Sequence, residues 1–380
     1  MSKNFLFATS TLVGAIVGAG IFGLPFAVAR SGFAIGVLYI VAFGVVLMLI
    51  NLAYGEVVLR TPGRHRLIGY ATTYLGSWVR PVIVFSTVVN LQGGLLAYLI
   101  LGGQFAHFLL HPIVGGTAAF WSLTFFAVGA LVIWRGLRLV GPLELLLDLL
   151  FIGALFALAV SVLPFVRLEH LAVVSAAPGA VLLPFGVTLF ALAGWIVVPE
   201  LRDFFPHGAG RLRLAIVVGS LIPVLLALLF VTAVVGVTGP LTTPEALGGL
   251  QKLLGAPVLI IGSLFGLGAI ITSLFIFGLG AKHLFHYDLG LPMPLAWVLA
   301  VAPAPLLYLA GATNFITVIA ISGTVSTFLE GSAILASYRR ALAAGERRPE
   351  YELHLSFPVT ALVVLLFAAG LVAHFWFVGV

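Results

Sequence analysis

The sequence predicts an all-α polytopic membrane protein, and three observations carry that expectation. The chain is 62% hydrophobic and 8% charged, far below the roughly 25% charge of soluble domains. Its apolar residues fall into eleven runs, each long enough to cross a bilayer core as helix. The first and sixth runs are interrupted alike, because Ala19-Gly20-x-x-x-x-Pro25 recurs as Ala193-Gly194-x-x-x-x-Pro199. Matched interruptions in two halves of a chain point to inverted repeats with a binding site between them. The expected organisation is one transmembrane domain over 1–380. Repeat one covers 5–163, repeat two covers 180–337, and an extra helix covers 357–379.

Composition narrows the function classes. Cysteine is absent, so disulfides and thiolate-metal sites are excluded. A net charge of +6 would suggest nucleic acid in a soluble protein. Here the basic residues gather in loops, so the expected partner is the lipid bilayer and not nucleic acid. Oligomeric state is not legible. The first apolar run is too long for a cleaved signal peptide and is expected to be retained.

The spans are placed at about 5–30, 33–59, 79–110, 117–134, 139–163, 180–204, 213–238, 256–285, 293–311, 314–337 and 357–379. Span 1 carries glycines at 14, 18, 20 and 23 and a proline at 25. Each glycine costs about 1 kcal/mol against alanine in a helix interior, so the helix is expected to break near Val17–Gly20. Broken backbone is tolerated in hydrocarbon only where protein buries it or a wet cavity meets it. Its freed amides and carbonyls then become available to a solute. Small residues also serve tight helix packing, and only the second copy in span 6 favours a site.

Between spans 2 and 3, Leu67–Leu75 is expected as a short helix on the membrane surface. After span 7, Thr242–Lys252 reads as a second short helix, with Thr243 as N-cap and Pro244 at its first position. The Ala341–Glu352 linker is polar and basic and is expected to be solvated. With the N-terminus in the cytoplasm, only Arg30, Arg167 and Lys252 of the 18 Lys and Arg residues fall outside. That bias is a positive-inside signal; it puts the C-terminus outside and implies an integral protein of the cell membrane.

Thr11-x-x-Gly14-x-x-x-Gly18-x-Gly20-Ile21-x-x-Leu24-Pro25 resembles the first helix of amino acid permeases. So do Glu56-Val-Val-Leu-Arg-Thr-Pro-Gly63 and Tyr70-Ala-x-x-Tyr-Leu-Gly76. The resemblance is to the amino acid–polyamine–organocation superfamily, in its amino acid/auxin or aromatic amino acid permease branches. It spans the first ten runs in order and implies the leucine-transporter-like fold, a five-plus-five inverted repeat with broken helices 1 and 6.

It also implies a substrate site at the two breaks. Free amides among Gly18, Ala19, Gly20 and Ile21, at the positive end of a half-helix, suit a carboxylate. Backbone carbonyls of Phe190, Ala191 and Leu192 suit an ammonium group, with Ala193 and Gly194 at the break itself. Trp195 either closes over the substrate side chain or packs between helices. Asn90 in span 3 either faces the site or makes a structural hydrogen bond between helices. A large side chain at Gly20 is expected to fill the substrate's approach while leaving the protein folded.

The resemblance places a sodium ion on Gly14, Val17, Ala269, Thr272 and Ser273. Five oxygens without a carboxylate suit a weakly held monovalent cation. The Thr-Ser pair alone could equally bond back to its own helix. Ile21 stands where a second sodium site would require Asn, so one sodium is expected.

Acids inside the membrane are costly and informative. Asp148, midway along span 5, is a candidate proton carrier or a neighbour of the sodium site, with Glu144 one turn away. Glu56 and Glu330, near the arginine-rich ends of spans 2 and 10, are candidates for a gate or an arginine pair. Glu200 is expected to pair with Arg202.

The leading expectation is therefore a secondary active amino acid symporter driven by sodium, with no other cofactor. Proton coupling through Asp148 is the alternative. An enzyme is disfavoured by the absence of Gly-x-Ser-x-Gly and His-Glu-x-x-His, and a channel by the absence of a selectivity-filter motif.

Overall fold

The computed structural model describes residues 3–136, 140–172, 177–205, 208 and 210–377, with the side chains of 140–148 outside that description. Among the described residues it is all helix and turn. Eight helices are long and apolar enough to cross a membrane, and the bent pair Lys3–Ile16 and Gly20–Ser31 makes a ninth. Two shorter apolar segments, Leu149–Phe165 and Met293–Leu309, occupy the places expected for spans 5 and 9. The expected count of eleven thus rests on those two.

Span 9 divides into Met293–Val301 and Pro303–Leu309, because Pro303 cannot continue the ladder. Span 10 runs from Phe315 to Ala344, past its expected end, with Asn314 accepting the Thr317 amide at its start. Its middle is a wide, π-type turn over Thr327–Gly331.

Glycines set the closest helix approaches. A Cβ on Gly323 would collide with the Gly186 carbonyl, and one on Gly93 with Ser322, so spans 3, 6 and 10 meet at backbone distance. The core's aromatic centre is Phe22, with Phe105, Phe151 and Phe230 at ring-centroid distances of 5.1, 6.0 and 6.0 Å. These rings join the second half of span 1 to spans 3, 5 and 7.

The end of span 2, Phe33–Arg60, shows how the arginine-rich side is secured. Its last carbonyls lack helical partners, and most find others. Val57 accepts Thr61 Oγ1, Val58 accepts an Arg202 guanidinium N–H, and Arg60 accepts the Arg347 amide. Arg202 is thereby a cap on span 2; the Glu200 pairing expected from the sequence is not made, and Glu200 is exposed.

The linker after span 10 is not simply solvated. Tyr351 is buried and donates to the Leu52 carbonyl at 2.6 Å. Leu67–Leu75 forms as expected, burying Tyr70 and Ala71. The helix after span 7 starts late, at Leu247. Thr243 still caps it, through the Gly249 amide, while Glu245 accepts from Gly248 and Pro244 lies in the preceding turn.

Candidate functional site

Span 1 ends its first helix at Ile16 and restarts at Gly20 with a bend of 53°. Inside the gap the hydrogen bonds are reassigned. The Gly18 amide donates to Ile16 and the Ile21 amide to Gly18. In a regular helix those amides would have served Gly14 and Val17. The carbonyls of Gly14 and Val17 are therefore left without helical donors, and the amides of Ala19 and Gly20 donate to no carbonyl. Of the four span 1 residues expected at the substrate, Ala19 and Gly20 present open amides, while Gly18 and Ile21 have spent theirs.

Span 6 stops at Leu192, with Ala193 extended (φ −69°, ψ 130°) and Gly194 at φ −137°. The gap is narrower than expected and lies at its late edge. It continues as a tight turn over Trp195–Val197 and a short helix over Val198–Leu201. The carbonyls of Phe190, Ala191 and Leu192 receive no backbone amide, as the last turn of a helix requires.

The two breaks pack on each other. A Cβ at Gly20 would stand 2.7 Å from Ala191 Cα, and one at Gly194 would stand 2.6 Å from the Ile16 side chain. Gly20 is thus a contact between helices, which corrects the expectation that a large side chain there would leave packing intact.

Between the breaks lies a cavity of about 30 Å³ lined by Ala15, Ile16, Gly18, Ala19, Gly20, Asn90, Tyr98, Phe190, Ala193, Trp195, Ile196 and Phe277. That volume holds a water or two, so an amino acid enters only if the walls move. Ala15, Asn90, Trp195 and Ile196 are shared with a vestibule of about 1810 Å³ that opens at the arginine-rich end, past Arg64, Arg66 and Arg202. Two rim pairs, Arg64–Asp203 at 3.2 Å and Arg66–Asp288 at 4.0 Å, border that mouth.

Asn90 makes no hydrogen bond to the protein among the described residues, and its amide faces both cavities. Tyr98 and Phe277 are lining residues that the sequence reading missed. Tyr98 lies two turns beyond Asn90 on one helix face, and Phe277 lies one turn beyond Ser273. The helical spacing was the available signal. Their rings meet edge to face at 5.2 Å, over Gly94, where a Cβ would strike Phe277.

Of the five residues expected to hold sodium, Ser273 is brought against the span 1 break. Its Oγ would be 3.2 Å from a Cβ on Gly18, and the Tyr98 hydroxyl faces it. Thr272 Oγ1 donates to the Ala269 carbonyl at 2.9 Å.

Trp195 is buried, and its indole N–H donates to Glu330 Oε2 at 2.6 Å. Glu56 is fully buried away from both cavities. It holds Arg60 at 2.8 Å and accepts the Leu353 amide at 2.6 Å, fixing the linker to span 2. Of the two readings the sequence offered for it, a gate or an arginine pair, the structure shows the arginine pair. The side chains of Asp148 and Glu144 lie outside the described residues.

The model for the tryptophan/tyrosine permease family matches residues 1–376 of this chain. No curated protein matches it in sequence. The crystal structure of MhsT in complex with L-phenylalanine superposes with a TM-score of 0.69 at 17% identity, covering 100% of this chain and 99% of that one. At that identity the likeness shows the fold, a leucine-transporter-like arrangement with broken helices 1 and 6.

Proposed function

The chain belongs to the tryptophan/tyrosine permease family, and from that premise we propose that this amino acid transporter carries an aromatic amino acid by alternating access, with sodium as its coupling ion. The observation that carries the reading is the pair of facing breaks. Open amides of Ala19 and Gly20 stand opposite open carbonyls of Phe190, Ala191 and Leu192. A zwitterion fits that polarity without any charged side chain, its carboxylate on the span 1 amides and its ammonium on the span 6 carbonyls. Phe190, Trp195, Tyr98 and Phe277 supply the aromatic walls an aromatic side chain stacks against.

The vestibule opens at the arginine-rich end, which the positive-inside rule assigns to the cytoplasm. The structure is then an inward-open arrangement with the substrate site collapsed after release. Sodium would sit on the carbonyls of Gly14, Val17 and Ala269 with the hydroxyls of Thr272 and Ser273, bridging span 1 to span 8. The reassigned amides of Gly18 and Ile21 support this, because they free the two span 1 carbonyls the ion needs. One charge moving inward across 100 mV supplies about 2.3 kcal/mol, roughly fifty-fold accumulation of a neutral zwitterion.

The test is uptake of labelled tryptophan, tyrosine and phenylalanine into proteoliposomes, with sodium and proton gradients imposed separately. Uptake is expected to follow the sodium gradient. Uptake that persists without sodium and collapses when the pH gradient is dissipated would assign coupling to a proton.

A further inference from the structure

One buried acid is not used by that reading. Glu330 is 3% exposed and sits in the wide turn Thr327–Gly331 of span 10. Such turns interrupt a regular helix at a local cost and recur at functional positions. Its two oxygens are held from two other helices: Trp195 Nε1–H of broken span 6 donates at 2.6 Å, and Thr87 Oγ1–H of span 3 donates at 3.0 Å. Among the described residues no Lys, Arg or His nitrogen lies within ion-pair distance of it. Yet Glu330 lines the vestibule wall, so water reaches its edge in this arrangement.

The groups around it can be named helix by helix. Span 2 presents the Tyr54 hydroxyl, buried and without a hydrogen-bond partner. Span 3 presents Thr87 and the Ser86 hydroxyl, and span 6 presents Trp195. Span 11 touches the turn through Phe367 at Gly331, and its titratable group, His374, is two turns farther on. Along span 10 the next charge is Arg339, more than two turns away, which bonds the Leu355 carbonyl. A carboxylate buried without a cation depends on its hydrogen-bond donors to remain charged. Trp195 is the strongest of these, and it belongs to the element whose break must rearrange for a substrate to enter the 30 Å³ cavity.

We propose that Glu330 is a proton-binding site of the conformational cycle, ionised while Trp195 holds it in the vestibule-open arrangement and protonated when span 6 moves and the vestibule closes. The step is a simple dissociation. The Glu330 O–H bond breaks, the proton leaves to vestibule water, and the carboxylate accepts the indole N–H. Because the acid faces the vestibule, it exchanges its proton with that side and moves no net charge across the membrane. Low pH on the vestibule side therefore favours closure, and high pH favours opening. The inference rests on the transporter reading for its purpose, but its test needs no substrate and no sodium.

The chain has no cysteine, so Thr11→Cys in the vestibule wall provides a sole thiol. Its labelling rate by a polar thiol reagent is measured across pH in purified protein, alone and combined with Glu330→Gln or Trp195→Phe. Thiol ionisation contributes equally to all three. Labelling of the single-cysteine protein is expected to rise through an additional midpoint, absent with Glu330→Gln, whose amide oxygen can still accept the indole N–H. Trp195→Phe removes a donor to the anion and is expected to raise the midpoint by about one pH unit. The Trp195→Phe arm stands alone if the Gln variant fails to fold. Identical profiles with and without the Glu330 carboxyl, or a Trp195→Phe midpoint that stays or falls, would overturn the proposal.

Discussion

The breaks in spans 1 and 6 begin from the same Ala-Gly-x4-Pro pattern and end as different structures. Span 1 bends by 53° over three residues, and a twelve-residue helix restarts beyond the gap. Span 6 opens over Ala193 and Gly194 and continues as short turns from Trp195 to Phe204. The full helix beyond the span 1 gap turns its amide end toward the gap. The full helix before the span 6 gap turns its carbonyl end toward it. Opposite dipole ends thus face one another across the cavity. One sequence pattern yields a donor face and an acceptor face because the helix restarting at Gly20 brings its amide end to the gap, whereas the helix ending at Leu192 brings its carbonyl end.

The sharpest way to break this comparison is to force the two gaps apart. Gly20→Leu places a side chain where even a Cβ would be 2.7 Å from Ala191 Cα. We expect substrate binding to be lost and thermal stability to fall, since overpacking costs about 1–3 kcal/mol. Gly20→Ala should show a weaker version of both. Scintillation proximity binding with a melting scan on the same sample checks the pair; unchanged binding in Gly20→Leu would place the substrate elsewhere.

Next in size is the cation side of span 1. Thr272→Val with Ser273→Ala removes two of five proposed sodium ligands. Sodium-dependent substrate affinity should weaken roughly tenfold or more, in the usual range for coupling between two bound ligands. Titrating sodium at fixed substrate measures it, and a normal half-saturating sodium concentration would leave the hydroxyls merely structural.

A finer test separates donor from acceptor face through the ligand. A deaminated aromatic acid should lose contact with the span 6 carbonyls, and a methyl ester should lose charge at the span 1 amides. Each should compete at least about tenfold less well than the parent, since hydrogen bonds to charged groups are worth about 1.5–3 kcal/mol. Competition by either analogue as strong as the parent's would show that its face is misassigned. Tyr98→Phe, which removes the hydroxyl beside Gly18 and Ser273, should cost about 1 kcal/mol, or roughly five-fold in affinity.

The smallest effect is expected far from both breaks. Tyr351→Phe loses the bond to the Leu52 carbonyl and should lower stability by about 1 kcal/mol without altering substrate affinity. A change in affinity there would mean that the linker senses the site.

The sequence alone determined the all-helical membrane class and the positions of the two helix breaks, because hydrophobic run length and glycine placement act through local physics. A helix of the right length needs no partner to be recognised, and Ala19-Gly20 and Ala193-Gly194 weaken their own helices wherever they are put. The backbone groups at the breaks were legible for the same reason. What the tertiary structure decided is which side chains meet. Glu56 was read as a gate or an arginine pair; it pairs with Arg60, and a linker amide from Leu353, distant in sequence, makes it an anchor as well. Gly20 was read as room for substrate, but Ala191 fills that room. Trp195 and Glu330 each had several readings alone; their bond at 2.6 Å exists only because spans 6 and 10 meet at glycine contacts. Long-range pairing of this kind has no local signature, since it depends on the packing of helices that neither residue's neighbours in the chain encode.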